Sequence, residues 1–181
     1  MTIPLLRFTL SNGHDTHFVD SSAQIHGDDV RMIGSREVQA LTGLSADQFR
    51  EWTGRRGLVR PDRPAQGKGT QARFSWQTIL VLRLALVMKK DFHIELQAHR
   101  ESLAELQKFF HGKSFPGLWD RVALLRGRMP LTVCKHSEMT FAADEAVIVL
   151  PLAPHLRTLM AGFGLPVPAP QMSLFRAIAV Q

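Results

Sequence analysis

The spacing of apolar positions changes character twice along the chain. Ile3 to Leu10 is rich in apolar residues, Asn12-Gly13 follows, and His14 to Val19 runs on as a second short stretch. Asn-Gly between two such runs predicts a β-hairpin with a two-residue turn. Residues 21–30, with Gly27-Asp28-Asp29, read as loop. From Ile33 the period becomes helical. Ser35 is an N-cap candidate, Val38, Leu41 and Leu44 supply apolar contacts, and Gly43 interrupts them. Ser45 with Gln48 three residues on has the spacing of a capping box, so it predicts the start of a second helix. Phe49 and Trp52 lie on one face of that helix, and Gly57 ends it.

Arg60 to Arg73 is dense in Pro, Gly and Arg and predicts a loop or extended hairpin. Ser75 then caps a third helix. Its Ile79, Leu80, Leu82, Leu84, Ala85 and Val87 are apolar almost all round, which predicts burial on more than one side. A fourth helix is expected over 94–110, with Leu96, Leu103, Leu106, Phe109 and Phe110 apolar, and a short fifth from Gly117 to Leu125. Beyond Pro130 the pattern predicts strands at Leu131–Cys134, Met139–Phe141 and Ala146–Leu150. A short helix around His155–Ala161 and a tail with Pro166, Pro168 and Pro170 complete the chain. The expected fold class is therefore α+β. A mainly helical unit at 31–112 is joined to a small β-containing region built from an N-terminal extension, 1–30, and a C-terminal stretch, 113–181.

With 181 residues, 45% of them apolar, and a mean hydropathy of -0.04, the chain has material for a core and is not a disordered segment. No apolar run reaches the roughly 18 residues of a membrane helix. The first ten residues lack a cleavage-site pattern, so no signal peptide is expected. A single cysteine, Cys134, excludes an intrachain disulfide and a thiolate cluster. These features predict a cytoplasmic protein without membrane contact.

The net charge of +6 is distributed unevenly. Residues 1–30 carry −3 and residues 91–181 carry +1, whereas residues 31–90 hold 12 basic and 4 acidic side chains. A solvated basic face is the bland explanation. A surplus confined to one third of the chain favours a local footprint for a polyanion.

That third has the mechanics of a helix-turn-helix: two short helices, a tight turn at Gly43, and a second helix that opens polar. Such a unit presents the first turns of its second helix to the major groove. After the cap Ser45, those positions are Ala46, Asp47, Gln48 and Arg50. Gln can pair with adenine, Arg with guanine, and an acidic side chain can accept from cytosine. Arg55 and Arg56 at the other end suit phosphates. Arg60, Arg63, Lys68 and Arg73 lie among Pro61, Pro64, Gly67 and Gly69, the composition of a basic wing whose backbone comes close to DNA. A helical hairpin with a polar outer face remains the alternative to this reading.

The ordered segments Gly34-Ser35-Arg36-Glu37-Val38, Leu41-Thr42-Gly43-Leu44-Ser45 and Phe49-Arg50-Glu51-Trp52-Thr53-Gly54-Arg55-Arg56-Gly57-Leu58-Val59-Arg60-Pro61-Asp62-Arg63 resemble the winged helix-turn-helix of the MerR family. Arg73-Phe74-Ser75 is similar to that family's exit from the wing. The likeness covers roughly 32–95. It implies a homodimer on double-stranded DNA, with Arg50 and Trp52 packing or contacting the backbone near the recognition helix and Arg73 on the wing. Thr53 departs from the family's usual Glu, the wing is a few residues longer, and the extension 1–30 is unusual.

The family's usual sensor elements are not found: Cys134 stands alone, and no cobalamin-type His box occurs. His14 and His17 fall on opposite faces of a strand. Cys134-Lys135-His136 offers a candidate reactive thiol, but an isolated Cys on an apolar strand reads as core, and Asp144-Glu145 and Asp28-Asp29 read as solvated turns. No nucleophile elbow, phosphate loop or metal motif occurs, so neither an enzyme nor a cofactor is expected. The expected function is a sequence-specific transcriptional regulator. Its expected partners are double-stranded DNA, a second copy of the chain and other transcription machinery. An architectural, excisionase-like or phage packaging factor is the alternative, and a protein-interaction module with an incidental basic patch is the third reading. Dimerisation is expected through the apolar residues of the 94–110 helix and through Val147-Ile148-Val149-Leu150.

Overall fold

The computed structural model describes residues 31–127 and 129–165. The expected N-terminal hairpin, His14, His17, Asp28-Asp29 and the proline tail lie outside the described residues. Within them the fold is α+β, with six α-helices and a three-stranded antiparallel sheet.

α1 (Ser35–Thr42) is capped one residue earlier than expected: Gly34, not Ser35, occupies the N-cap, and its N–H donates to Glu37 Oε2 at 3.1 Å. The helix stops at Gly43, which adopts φ 78° and donates its N–H to Gln39 O at 2.8 Å. That left-handed turn is costly for a residue with a Cβ. α2 (Ala46–Arg50) opens on the anticipated capping box. Gln48 N donates to Ser45 Oγ, and Ser45 N donates to Gln48 Oε1, each at 3.1 Å.

α2 continues into a π-helical turn, Glu51–Arg55, in which Arg56 N donates to Glu51 O at 2.8 Å. Leu58 N and Val59 N both close on Trp52 O, at 2.8 and 3.3 Å. The widened turn keeps Trp52 in the core while the chain reverses at Gly57.

α3 (Trp76–Lys90) is the central helix and packs against α1, α4 (Arg100–Phe110) and α6 (Ala153–Phe163). Its apolar residues on all sides thus find partners, as their distribution predicted. A 3₁₀ turn, Leu96–His99, leads into α4. Leu96, Leu103, Leu106 and Phe110 are buried inside the chain's own core, and Phe109 is partly buried against it. The apolar surplus invoked for dimerisation is therefore consumed within one chain.

The expected helix at Gly117–Leu125 is corrected. Only α5 (Phe115–Leu118), a single turn, is helical, and β1 (Arg121–Arg126) follows. Val122, Ala123, Leu124 and Leu125 are buried on both faces, and a short apolar run of that kind carries no period to tell strand from helix. β1 is flanked by β2 (Thr132–Lys135) and β3 (Val147–Pro151), with Ala123 opposite Val133 and Leu150. The expected strand at Met139–Phe141 is also absent. A 3₁₀ turn, His136–Glu138, and irregular backbone carry the chain from β2 to the opposite sheet edge. Glu145 is not simply solvated: it pairs with Arg126 at 2.6 Å. Cys134 is half-buried on β2.

One buried cluster runs from Ile33 to Phe163, drawing on the helices and on the inner face of the sheet. Trp76 stacks on Phe115 with centroids 3.9 Å apart, joining α3 to α5. Arg83 ties α1 to α6. Its guanidinium donates to Leu41 O, to His155 Nδ1 at 3.3 Å and to Thr158 Oγ1 at 3.4 Å. Burial, reinforced by the Arg83 charge, pushes His155 down to about 4, so the ring is neutral at pH 7 and free to accept this bond. Nearby, Gly162 gives Leu41 the room that a Cβ would occupy. Among the described residues, no helix is long and apolar enough to cross a membrane.

Candidate nucleic-acid interface

α1 and α2 form a compact pair held by Val38, Leu44, Phe49 and Trp52, all buried. Phe49 packs edge-on against Phe74, with centroids 5.3 Å apart, which sets α2 against the strand leaving the wing. The opposite side of α2 faces solvent: Ser45, Ala46, Asp47, Gln48 and Arg50 are all exposed. Two of these side chains are already engaged. Gln48 Oε1 serves the cap, leaving its Nε2 as the outward donor, and Arg50 pairs with Asp47. Trp52, which the resemblance allowed either to pack or to contact the DNA backbone, is 5% exposed and lies in the core. Its contribution is to hold the helix against that core.

Arg55 is exposed, while Arg56 pairs with Glu51 at 2.7 Å and with Glu95 at 3.6 Å. The wing is a loop with a narrow root. Arg63 and Arg73 exchange two backbone hydrogen bonds at 3.2 and 2.9 Å, and Ile33 and Phe74 exchange two at 3.0 Å. At the tip, Gln66 N donates to Thr70 Oγ1 at 2.7 Å, and Gly67 and Gly69 take φ 102° and 89°. Lys68 stands between these glycines, exposed. Of the expected loop or extended hairpin, the loop is what forms, closed at its root by isolated bridges.

Two side chains that sequence reading passed over hold this wing. Asp62 accepts from Ser75 N at 2.7 Å and from Ser75 Oγ at 2.9 Å, fastening the wing's first leg to the start of α3. Gln107 of α4 donates through Nε2 to Arg60 O at 2.7 Å and to Thr78 Oγ1 at 3.0 Å, and its Oε1 accepts from Arg60 N at 3.3 Å. Their partners are 13 and 47 residues distant, so no local pattern announces them.

Among the described residues, Arg55, Arg60, Arg63, Lys68 and Arg73 make no ion pair, in contrast to Arg50 and Arg56. Five exposed cations without carboxylate partners among the described residues therefore extend from the π-helical turn along the wing. Such charges are hydrated and available to exchange their counterions for phosphates. Compared with known families and with curated proteins, the chain matches no family model and no curated protein.

Proposed function

We propose that this chain is a sequence-specific double-stranded DNA-binding transcriptional regulator of the MerR-like winged helix-turn-helix type, acting in the cytoplasm as a binding protein rather than an enzyme. The row of cations on and beside the wing, unpaired among the described residues and next to a capped helix with a polar outer face, is the observation that carries this reading. α2 enters the major groove with Asp47, Gln48 and Arg50 near base edges. Arg55, Arg60, Arg63, Lys68 and Arg73 take phosphates or the minor groove. Arg56 joins them once DNA phosphates compete with Glu51 and Glu95.

Two half-sites supply the specificity that one short helix lacks, so the working unit is a homodimer. The partly exposed β3 residues Val147, Ile148 and Val149 form its contact, and sedimentation at micromolar concentration tests it. A strict monomer, free and on a palindromic duplex, would overturn the dimer.

One observation favours a second reading. The apolar stripe of α4 is spent inside the chain, which suits an architectural, excisionase-like or phage packaging factor needing no dimerisation helix. A genome-wide map of bound sites separates the two. Promoter-proximal palindromes support the regulator, clustered direct repeats at an attachment or packaging site support the second reading, and no enrichment overturns both.

A further inference from the structure

An open groove of about 630 Å³ separates the turn that ends the recognition helix from α4. One wall is Gly57, Leu58, Arg60 and Asp62. The other is a stripe of α4, Arg100, Ala104, Gln107 and Lys108, continued by His111 just past its end, opposite the buried Leu103, Leu106 and Phe110. Eleven residues of helix give that stripe a length of about 16 Å, the rise of several nucleotides of one strand at about 3.4 Å each.

The groove's lining carries a small cationic surplus. Asp62 spends both carboxylate oxygens on Ser75, and Glu101 is the other acid lining the wall. Against them stand Arg60, Arg100 and Lys108. Lys108 also reaches Glu105 at 2.7 Å. Arg60 and Arg100 have no ion pair among the described residues. Arg100 Nη2 lies beside Gly57, 3.6 Å from where a Cβ would stand, which is ordinary contact distance. The guanidinium thus sits near the turn that ends the second helix, while Gln107 fixes the Arg60 backbone across from it.

We infer that this groove seats the sugar-phosphate backbone of one DNA strand, with Arg100 as a phosphate ligand that extends the wing's cationic row onto α4. The inference rests on the DNA-binding reading above and adds a contact surface to it. An open groove bordered by Arg60, Arg100 and Lys108 suits a continuous polyanion better than an enclosed small molecule.

The test is equilibrium binding of the full chain to two unrelated fluorescent duplexes across a sodium chloride series. Wild type is compared with Arg100→Ala, Arg100→Lys and the wing control Lys68→Ala. Arg100→Ala should weaken both duplexes alike and reduce the slope of log affinity against log salt by about 0.9, with Arg100→Lys retaining it. Arg100 is exposed, so its thermal midpoint should stay near wild type, and a matched melt removes misfolding as an explanation. A wild-type slope in Arg100→Ala, while Lys68→Ala loses its share, overturns the groove but leaves DNA binding intact. Absence of salt-dependent binding by the wild type overturns both.

Discussion

Replacing Asp62 tests whether the wing is fastened as its geometry indicates. The carboxylate accepts two hydrogen bonds from Ser75, at 2.7 and 2.9 Å, and Ser75 is 5% exposed. Ser75 Oγ also accepts from Thr78 N at 3.3 Å, so the hydroxyl keeps its capping role without Asp62. The Ser75 backbone N–H has no such reserve. In Asp62→Ala it becomes a buried donor without its acceptor, at about 1–3 kcal/mol, and the charge-assisted bond to the hydroxyl is lost as well. The net loss should be about 2–3 kcal/mol. Asp62→Asn retains one acceptor oxygen and can donate to Ser75 Oγ, so it should lose about 1 kcal/mol. For a chain of this size, about 2 kcal/mol lowers Tm by roughly 4–8 °C. Urea unfolding should show the midpoint falling with m unchanged. If Asp62→Ala lies within about 0.5 kcal/mol of wild type, the tie between wing and α3 contributes nothing and the reasoning fails.

Gln48→Ala should relax preference at particular base pairs by about 1–3 kcal/mol while sparing random duplex, and equal losses on both would remove its base-reading role. Trp52→Ala should cost about 3–5 kcal/mol of stability, read by urea denaturation; a folded variant of wild-type stability that loses only DNA binding would contradict its core position. His155 has a folded value of about 4 against an ordinary 6.5, so its stabilising neutral form is fully present above about pH 6.5 and is lost as pH falls towards 4. Discounted for its partial exposure, this is about 1 kcal/mol between pH 7 and pH 5, and His155→Asn should flatten stability across that window. A variant with the wild-type pH slope would show that His155 does not titrate in the fold.

What could be read in advance was what short-range chemistry dictates. Gly43, the Ser45 and Gln48 pair and the Ser75 cap each act within a few residues, and the ends of α1, α2 and α3 follow from them. Val122 to Leu125 defeated that approach because a strand buried on both faces and a buried helix share the same apolar run. Met139–Phe141 has strand-forming residues but no neighbour to pair with. The exposed positions proposed to meet DNA were chosen from charge and glycine placement along 46–73. The state of each was not: Trp52 turned inward, Arg50 and Arg56 acquired carboxylate partners, and Asp62, Gln107 and Arg100 matter through contacts made only after folding.

Binding of the intact protein to a random-sequence duplex, followed by fluorescence anisotropy from about 50 to 200 mM salt, addresses the central claim most directly. Each cation that reaches a phosphate adds about 0.9 to the slope of log affinity against log salt. With Arg55, Arg60, Arg63, Lys68 and Arg73 engaged, the slope should fall between about −3 and −5, and Lys68→Ala should flatten it by nearly one unit. Binding that ignores salt, or none at micromolar protein in low salt, would contradict the assignment of this cationic wing to DNA.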